Sequence, residues 1–136
     1  MYELFEHTAD LGLRVRAPDL DGLFREAAEG FFAVLMEGGP RSSGSREFHF
    51  ELRGERHDDL LRDWLTELLY TFETTGCLLG AFEVRVGAGR LEATARGAPP
   101  EPEVRERLRE VKAITYHGLK VEPEDGGWLA EVIVDI

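Results

Sequence analysis

Two long segments with helical periodicity, each flanked by shorter segments with strand periodicity, limit the folds open to this chain. In residues 20–36 the apolar side chains recur at steps of three and four, and residues 60–72 repeat the pattern. This spacing places an apolar stripe along one side of a helix. We therefore predict two amphipathic helices, the second capped by Asp58 or Asp59 and ended by Gly76.

Alternating apolar and polar residues elsewhere are typical of half-buried strands. We predict strands over residues 2–6, 11–17, 47–52, 82–86, 91–96, about 111–121 and 128–135. Residues 87–89 form a three-residue hairpin loop, and residues 104–110 are charged and ambiguous. The order ββαβαββ(x)ββ predicts an α+β fold, with the two helices covering the faces of a mostly antiparallel or mixed sheet. It does not predict the strand order.

Charge restricts the function. The chain has 27 acidic and 16 basic residues and a net charge of −11. Nucleic-acid binding depends on Lys and Arg, so we expect no strong direct binding of RNA or DNA. We expect attraction to a basic protein or a metal cation, although an acidic surface can also serve solubility alone.

Length and composition indicate one domain. A chain of 136 residues has a typical domain length, and we expect residues 1–136 to form a single domain. Cys77 is the only cysteine, so no internal disulfide can form, which is typical of a reducing compartment. The sequence shows no signal peptide and no apolar run long enough for a membrane helix. We expect a cytoplasmic protein without membrane association.

The segment HTADLG places His7, Thr8 and Asp10 close together between two apolar strands. One interpretation is a tight turn in which the Asp10 side chain caps its own backbone. The other is a polar site presented at a strand end.

The chain ends on a predicted strand, WLAEVIVDI, in which Asp135 lies on a partly apolar face beside the terminal carboxylate of Ile136. Neighbouring carboxylates repel each other, and a hard cation such as Ca²⁺ or Mg²⁺ would relieve the repulsion because it prefers oxygen ligands. A frayed end would instead leave both charges in water.

A third polar segment, EVKAITYHGLKV, carries Lys112, Thr115, Tyr116 and His117 on a predicted strand. The alternative to a site is a satisfied core histidine and a packed tyrosine. The sequence contains no Gly-rich phosphate loop and no recognisable nucleophile with a matching base. We therefore predict no catalytic residues.

Four stretches taken together resemble the archease family: EHTADLGLRV, DDLLRDWLTELLY, EVKAITYHGLKV and WLAEVIVDI. They occur in the family's order and span nearly the whole chain. The resemblance implies an α+β fold and an accessory protein that is not itself an enzyme. It also implies a partner, the RtcB-type RNA ligase of tRNA splicing and RNA repair, which joins 3′-phosphate to 5′-hydroxyl RNA ends.

Further implications of the resemblance concern the site. Archeases promote guanylylation of the ligase and its multiple turnover. Their metal ligands correspond to Asp10 and Asp135, with the terminal carboxylate of Ile136 beside them. The expected cofactor is a divalent cation, Ca²⁺ first, with Mg²⁺ or Mn²⁺ as alternatives. The supporting residues that we expect around this site are His7, Thr8, Lys112, Tyr116 and His117.

Two rival functions stay open on the sequence. One is a metal-assisted hydrolase that uses Asp10, Asp135 and His117. The other is a general protein-interaction or chaperone-like module, in which an acidic face binds several partners and any metal is incidental.

Overall fold

The computed structural model describes residues 1–7, 10–40 and 44–136, without the side chain of His7. Its elements, in chain order, are β1 (Tyr2–His7), β2 (Asp10–Ala17), α1 (Leu20–Leu35), β3 (Arg46–Arg53), α2 (His57–Thr75), β4 (Leu78–Gly87), β5 (Arg90–Ala98), α3 (Pro102–Arg105), β6 (Ala113–Ile114), β7 (Lys120–Glu124) and β8 (Gly127–Asp135). None of the helices in these ranges is long and apolar enough to cross a membrane.

The strands form two sheets. A five-stranded sheet has the order β1-β2-β8-β6, with β7 also paired to β8, and a three-stranded sheet has the order β3-β5-β4. Every pairing is antiparallel. The predicted α+β class with two main helices is confirmed, but the strands divide into two sheets where we expected one.

Helix α1 begins as the sequence predicted. Asp19 is its N-cap, and the Asp19 carboxylate accepts a hydrogen bond of 2.7 Å from the backbone N–H of Gly22. The helix is buried more widely than a single stripe, because it contacts β2 of one sheet and β4 of the other. At Gly30 a Cβ atom would lie 2.5 Å from the Leu13 side chain, so glycine allows the helix to approach the five-stranded sheet closely.

Helix α2 begins at His57 with Arg56 as its N-cap, so the predicted capping by Asp58 or Asp59 is wrong. Asp58 and Asp59 therefore lie in its first turn, where their negative charge is favourable near the positive end of the helix dipole. The predicted end at Gly76 is confirmed, with Gly76 in the left-handed conformation at φ 73°. The indole of Trp64 on this helix donates a hydrogen bond of 3.0 Å to the carbonyl of Phe24, which ties α2 to α1.

Two predicted connections differ from the structure. The β4–β5 loop has two residues and not three, because Gly87 pairs with Arg90 in the ladder. The strand predicted over about 111–121 is interrupted: β6 and β7 both pair with β8, but residues 115–119 lie between them. Alternation alone could not reveal this break, since it depends on the register against β8.

Candidate functional site

The structure places Asp10 directly opposite Asp135. Asp10 is the first residue of β2, Asp135 is the last of β8, and the two strands stay in register from this pair to Ala17 opposite Trp128. Residues directly opposite in an antiparallel pair have Cβ atoms about 4.5–5.5 Å apart. Two residues 125 positions apart in the chain thus become nearest neighbours, as their numbers show.

Alternation along both strands decides which side of the sheet this pair occupies. In the next row of the sheet, Leu11 lies opposite Val134, and Val134 lies opposite Ile114; Val134 and Ile114 are buried in the core. The Asp10–Asp135 row therefore belongs to the opposite face. A one-residue slip in register would turn the carboxylates toward the core, so the apolar row fixes the position of the acidic one.

The same row extends across four strands. The backbone of His7 pairs with Asp10 on one side, and Ala113 pairs with Asp135 on the other. The backbone N–H of Lys112 donates a hydrogen bond of 2.7 Å to the carbonyl of Asp135. The predicted supporting positions His7 and Lys112 thus border the pair through their backbones. Thr8 and the His7 side chain lie outside the described structure.

The C-terminus is not frayed. Strand β8 continues to Asp135, and Ile136 is half-buried with its side chain packed against the hydrophobic core. This packing keeps the terminal residue beside Asp135. The frayed-end alternative that the sequence allowed is wrong, since the last residue has a packed side chain.

Residues 115–119 of the third polar segment form a loop between β6 and β7. Tyr116 is 62% exposed and His117 is also exposed, so the alternative of a core histidine and a packed tyrosine is wrong. The hydroxyl of Thr115 donates a hydrogen bond of 3.0 Å to the carbonyl of Ile133. The guanidinium of Arg62 lies 4.0 Å from the centre of the Tyr116 ring.

The acidic pair supplies a small set of donors. Among residues 1–7, 10–40 and 44–136, no group of three or more His, Cys, Asp or Glu side chains could hold a metal ion. The described side-chain donors are therefore the two carboxylates, to which the chain adds its terminal carboxylate. The structure does not gather Asp10, Asp135 and His117 into such a group, as the hydrolase interpretation requires.

Further along the same face, charged side chains neutralise each other. Glu131 accepts hydrogen bonds of 3.2 and 3.0 Å from Arg14, which lies opposite it in register, and its other oxygen is 3.1 Å from the ammonium of Lys120. Burial alone would raise the pKa of Glu131, but the hydrogen bonds from Lys120 and Arg14 and their positive charges outweigh it. The pKa therefore lies below its usual value.

Sequence reasoning missed both this network and the Arg62–Tyr116 contact. Opposite charges at Arg14 and Glu131 give no signal until the register of β2 and β8 is known. For Tyr116, the adjacent pair His117-Gly118 was a usable turn signal, since Gly118 takes the left-handed conformation at φ 66°.

The fold and the site define a class: a small α+β protein with two antiparallel sheets and an acidic pair where the N-terminal hairpin meets the C-terminal strand. The model of the Archease protein family (MTH1598/TM1083) matches residues 2–136. The chain belongs to the archease family.

Two archease proteins are similar in sequence to this chain over nearly their whole length. The chain is 38% identical to protein archease of Methanopyrus kandleri, covering 99% of both chains. It is 36% identical to protein archease of Pyrococcus furiosus, covering 99% of this chain and 98% of the relative.

Two solved structures share the fold. The solution structure of protein 1598 of Methanobacterium thermoautotrophicum superposes with a TM-score of 0.86 at 34% identity, covering 99% of this chain and 98% of that one. The crystal structure of an archease from Thermotoga maritima gives a TM-score of 0.64 at 20% identity, covering 100% and 98%. The second match supports the fold alone.

Proposed function

We propose that this chain is an accessory protein, not an enzyme, that activates an RtcB-type 3′-phosphate/5′-hydroxyl RNA ligase in tRNA splicing and RNA repair. It promotes guanylylation of the ligase and multiple turnover. The observation that carries the proposal is the acidic pair of Asp10 and Asp135, directly opposite on β2 and β8. Membership of the archease family supports it.

The pair suits a hard divalent cation. Like charges directly opposite in a sheet destabilise it, and a cation between them removes the repulsion. The proposed donors are oxygen atoms: the carboxylates of Asp10 and Asp135 and the terminal carboxylate of Ile136. This set fits Ca²⁺ best, with Mg²⁺ or Mn²⁺ as alternatives. The bound cation supplies positive charge at an otherwise acidic surface.

This chain's residues hold and orient that charge. The ladder of β2 and β8 fixes both carboxylates on rigid strands, and the hydrogen bond from Lys112 holds the backbone of Asp135. If each carboxylate binds through one oxygen, three carboxylates leave at least three of the six to eight positions around Ca²⁺ open. Open positions remain for water or for groups of the ligase, so the same cation can contact both proteins.

Charge explains the choice of partner. A net charge of −11 opposes direct contact with RNA phosphates. It favours docking on a ligase whose RNA-binding surface must be basic. The chain therefore acts on the ligase and not on the RNA.

Multiple-turnover ligation of 3′-phosphate and 5′-hydroxyl RNA ends tests the proposal. The wild-type protein, at less than one molecule per ligase, should raise the number of turnovers, and Asp135→Asn should not. Asp125→Asn is the matched control, because it removes the same charge from the exposed turn between β7 and β8 and should behave like wild type.

The rival functions give other results. Full activation by Asp135→Asn would contradict the site, and a wild-type protein without effect on an active ligase would contradict the function. Ligase binding that is unchanged by a chelator would favour a general interaction module. Phosphoester hydrolysis by the isolated protein would favour the hydrolase.

A further inference from the structure

The loop of residues 115–119 is a necessary consequence of the register along β8. The backbone N–H of Thr115 donates to the carbonyl of Ile133, and the next paired residues are Lys120 and Glu131. On β8, one residue, Val132, lies between Ile133 and Glu131. On the other side of the ladder, four residues (116–119) lie between Thr115 and Lys120. These residues cannot stay in the ladder and must leave it as a loop.

The base of the loop is fixed by hydrogen bonds. Both the backbone N–H and the hydroxyl of Thr115 donate to the carbonyl of Ile133, at 3.1 and 3.0 Å. The hydroxyl of Thr115 accepts a bond of 3.2 Å from the N–H of His117, and the N–H of Leu119 donates to the carbonyl of Tyr116 at 3.2 Å. The loop is a defined turn and not a loose connection.

The outer end of the loop is held by a stacking contact with α2. The guanidinium of Arg62 lies 4.0 Å from the centre of the Tyr116 ring and 3.7 Å from the carboxylate of Asp63. In the described structure, Nε of Arg62 is buried without a hydrogen-bond partner, as is the hydroxyl of Thr66 one turn further along α2. The aromatic face of Tyr116 is thus a close partner of this guanidinium beside the carboxylate of Asp63, and we name the contact the Arg62–Tyr116 clasp.

The loop borders the acidic pair. It begins two residues after Ala113, which lies opposite Asp135, and its first residue hydrogen-bonds to Ile133, two residues before Asp135. Tyr116 remains 62% exposed despite the clasp. On the acidic face, Gly118 of the loop lies beside the side chain of Ile133, one row from Asp135, so a partner centred on Asp135 also meets the loop.

We propose that the loop of residues 115–119 is a second contact surface for the ligase, held in its binding position by the Arg62–Tyr116 clasp. The inference rests on the proposed function. Arg62 is a positioning residue here: it reaches the partner only through Tyr116. A preformed loop loses less conformational entropy on binding than a mobile one, so the clasp increases affinity for the ligase.

The test is a titration of ligase guanylylation with the protein, which separates affinity from the rate at saturation. For Tyr116→Leu and for Arg62→Met, we expect the half-saturating concentration to rise about fivefold, with an unchanged rate at saturation. The double variant should resemble either single variant, since both remove one contact. Tyr116→Phe keeps the ring and should behave like wild type.

Tyr70→Leu is the matched control, because Tyr70 is 61% exposed on the same helix and has no ring contact in the described structure. Half-saturating concentrations like that of wild type for both Tyr116→Leu and Arg62→Met would overturn the inference, even if their melting temperatures fall. If the increases in half-saturating concentration multiply in the double variant, Arg62 and Tyr116 act independently, and the clasp is overturned. A wild-type protein without any stimulation would overturn the proposed function, and this inference with it.

Discussion

The two sheets each place a pair of carboxylates directly opposite on neighbouring strands, but they treat the pair differently. In the three-stranded sheet, Glu51 lies opposite Glu92. Arg90 of the same sheet contacts both carboxylates, the Glu51 oxygen at 3.3 Å, and Arg85 lies opposite Glu92. The protein's own arginines neutralise this pair.

In the five-stranded sheet, the residue on the far side of Asp135 is the uncharged Ala113. Two rows away on the same face, Glu131 is paired with Arg14 and Lys120. The five-stranded sheet thus neutralises its central carboxylate with basic side chains, and we propose that a cation adds positive charge at the Asp10–Asp135 row.

The largest expected difference between the sheets concerns the core. Leu13, at the centre of the five-stranded sheet, is 1% exposed, whereas Leu52 on edge strand β3 is half-buried. Leu13→Ala should cost about 2–5 kcal/mol of unfolding free energy. Leu52→Ala should cost about 1 kcal/mol, because less apolar surface is lost from the core. Denaturant unfolding measures both, and equal costs would contradict this ranking.

Cation binding should separate the two carboxylate pairs. At a free Ca²⁺ concentration 100 times its dissociation constant, the wild-type protein should gain about 2.7 kcal/mol of stability. Asp135→Asn should lose most of that gain, and Glu92→Gln should keep it because Arg90 already neutralises its pair. Thermal melting with Ca²⁺ and with a chelator measures the difference. An equal gain in both variants would place the cation elsewhere.

The paired carboxylate Glu131 should make stability depend on pH. Its pKa in the folded protein is below the usual value, for the reasons given above. Its contribution is therefore fully present above the unfolded pKa of about 4.3 and is lost as the pH falls through the folded pKa. Unfolding free energies between about pH 5 and pH 3 should fall less steeply for Glu131→Gln than for wild type. Identical slopes would show that this network does not contribute.

The smallest effect concerns the acidic row without a cation. In the presence of a chelator, Asp135→Asn should stabilise the protein by about 0.2–1 kcal/mol, because it removes a like-charge neighbour. Glu92→Gln should not stabilise it, since it removes a partner of Arg90. Denaturant midpoints at low ionic strength measure the two changes. Destabilisation by Asp135→Asn under these conditions would show that the acidic pair is not under repulsion.

Much of the fold could be predicted because it depends on local patterns. Both long helices lie where the apolar spacing placed them, and Gly76 ends the second as predicted. The division into two sheets could not be predicted, since alternation shows that a segment is a strand but not which strand it joins. The interruption at residues 115–119 has the same cause, because it depends on a mismatch in register with β8.

The candidate site divides in the same way. Asp10 and Asp135 stood out in the sequence through their position at strand ends and beside the chain terminus. That they are neighbours across the sheet is a property of the register alone. Arg62 gave no sequence signal, since an arginine on the polar side of a helix is common and its contact with Tyr116 depends on where the loop folds.

The acidic pair is tested most directly by the initial rate of ligase guanylylation with the ligase in excess. The rate is measured with the wild-type protein, with the double variant Asp10→Asn/Asp135→Asn and with Asp125→Asn. We predict stimulation by the wild-type protein and by Asp125→Asn, and none by the double variant at an unchanged fold. Equal stimulation by all three proteins would contradict the claim that the acidic pair of β2 and β8 is the functional centre.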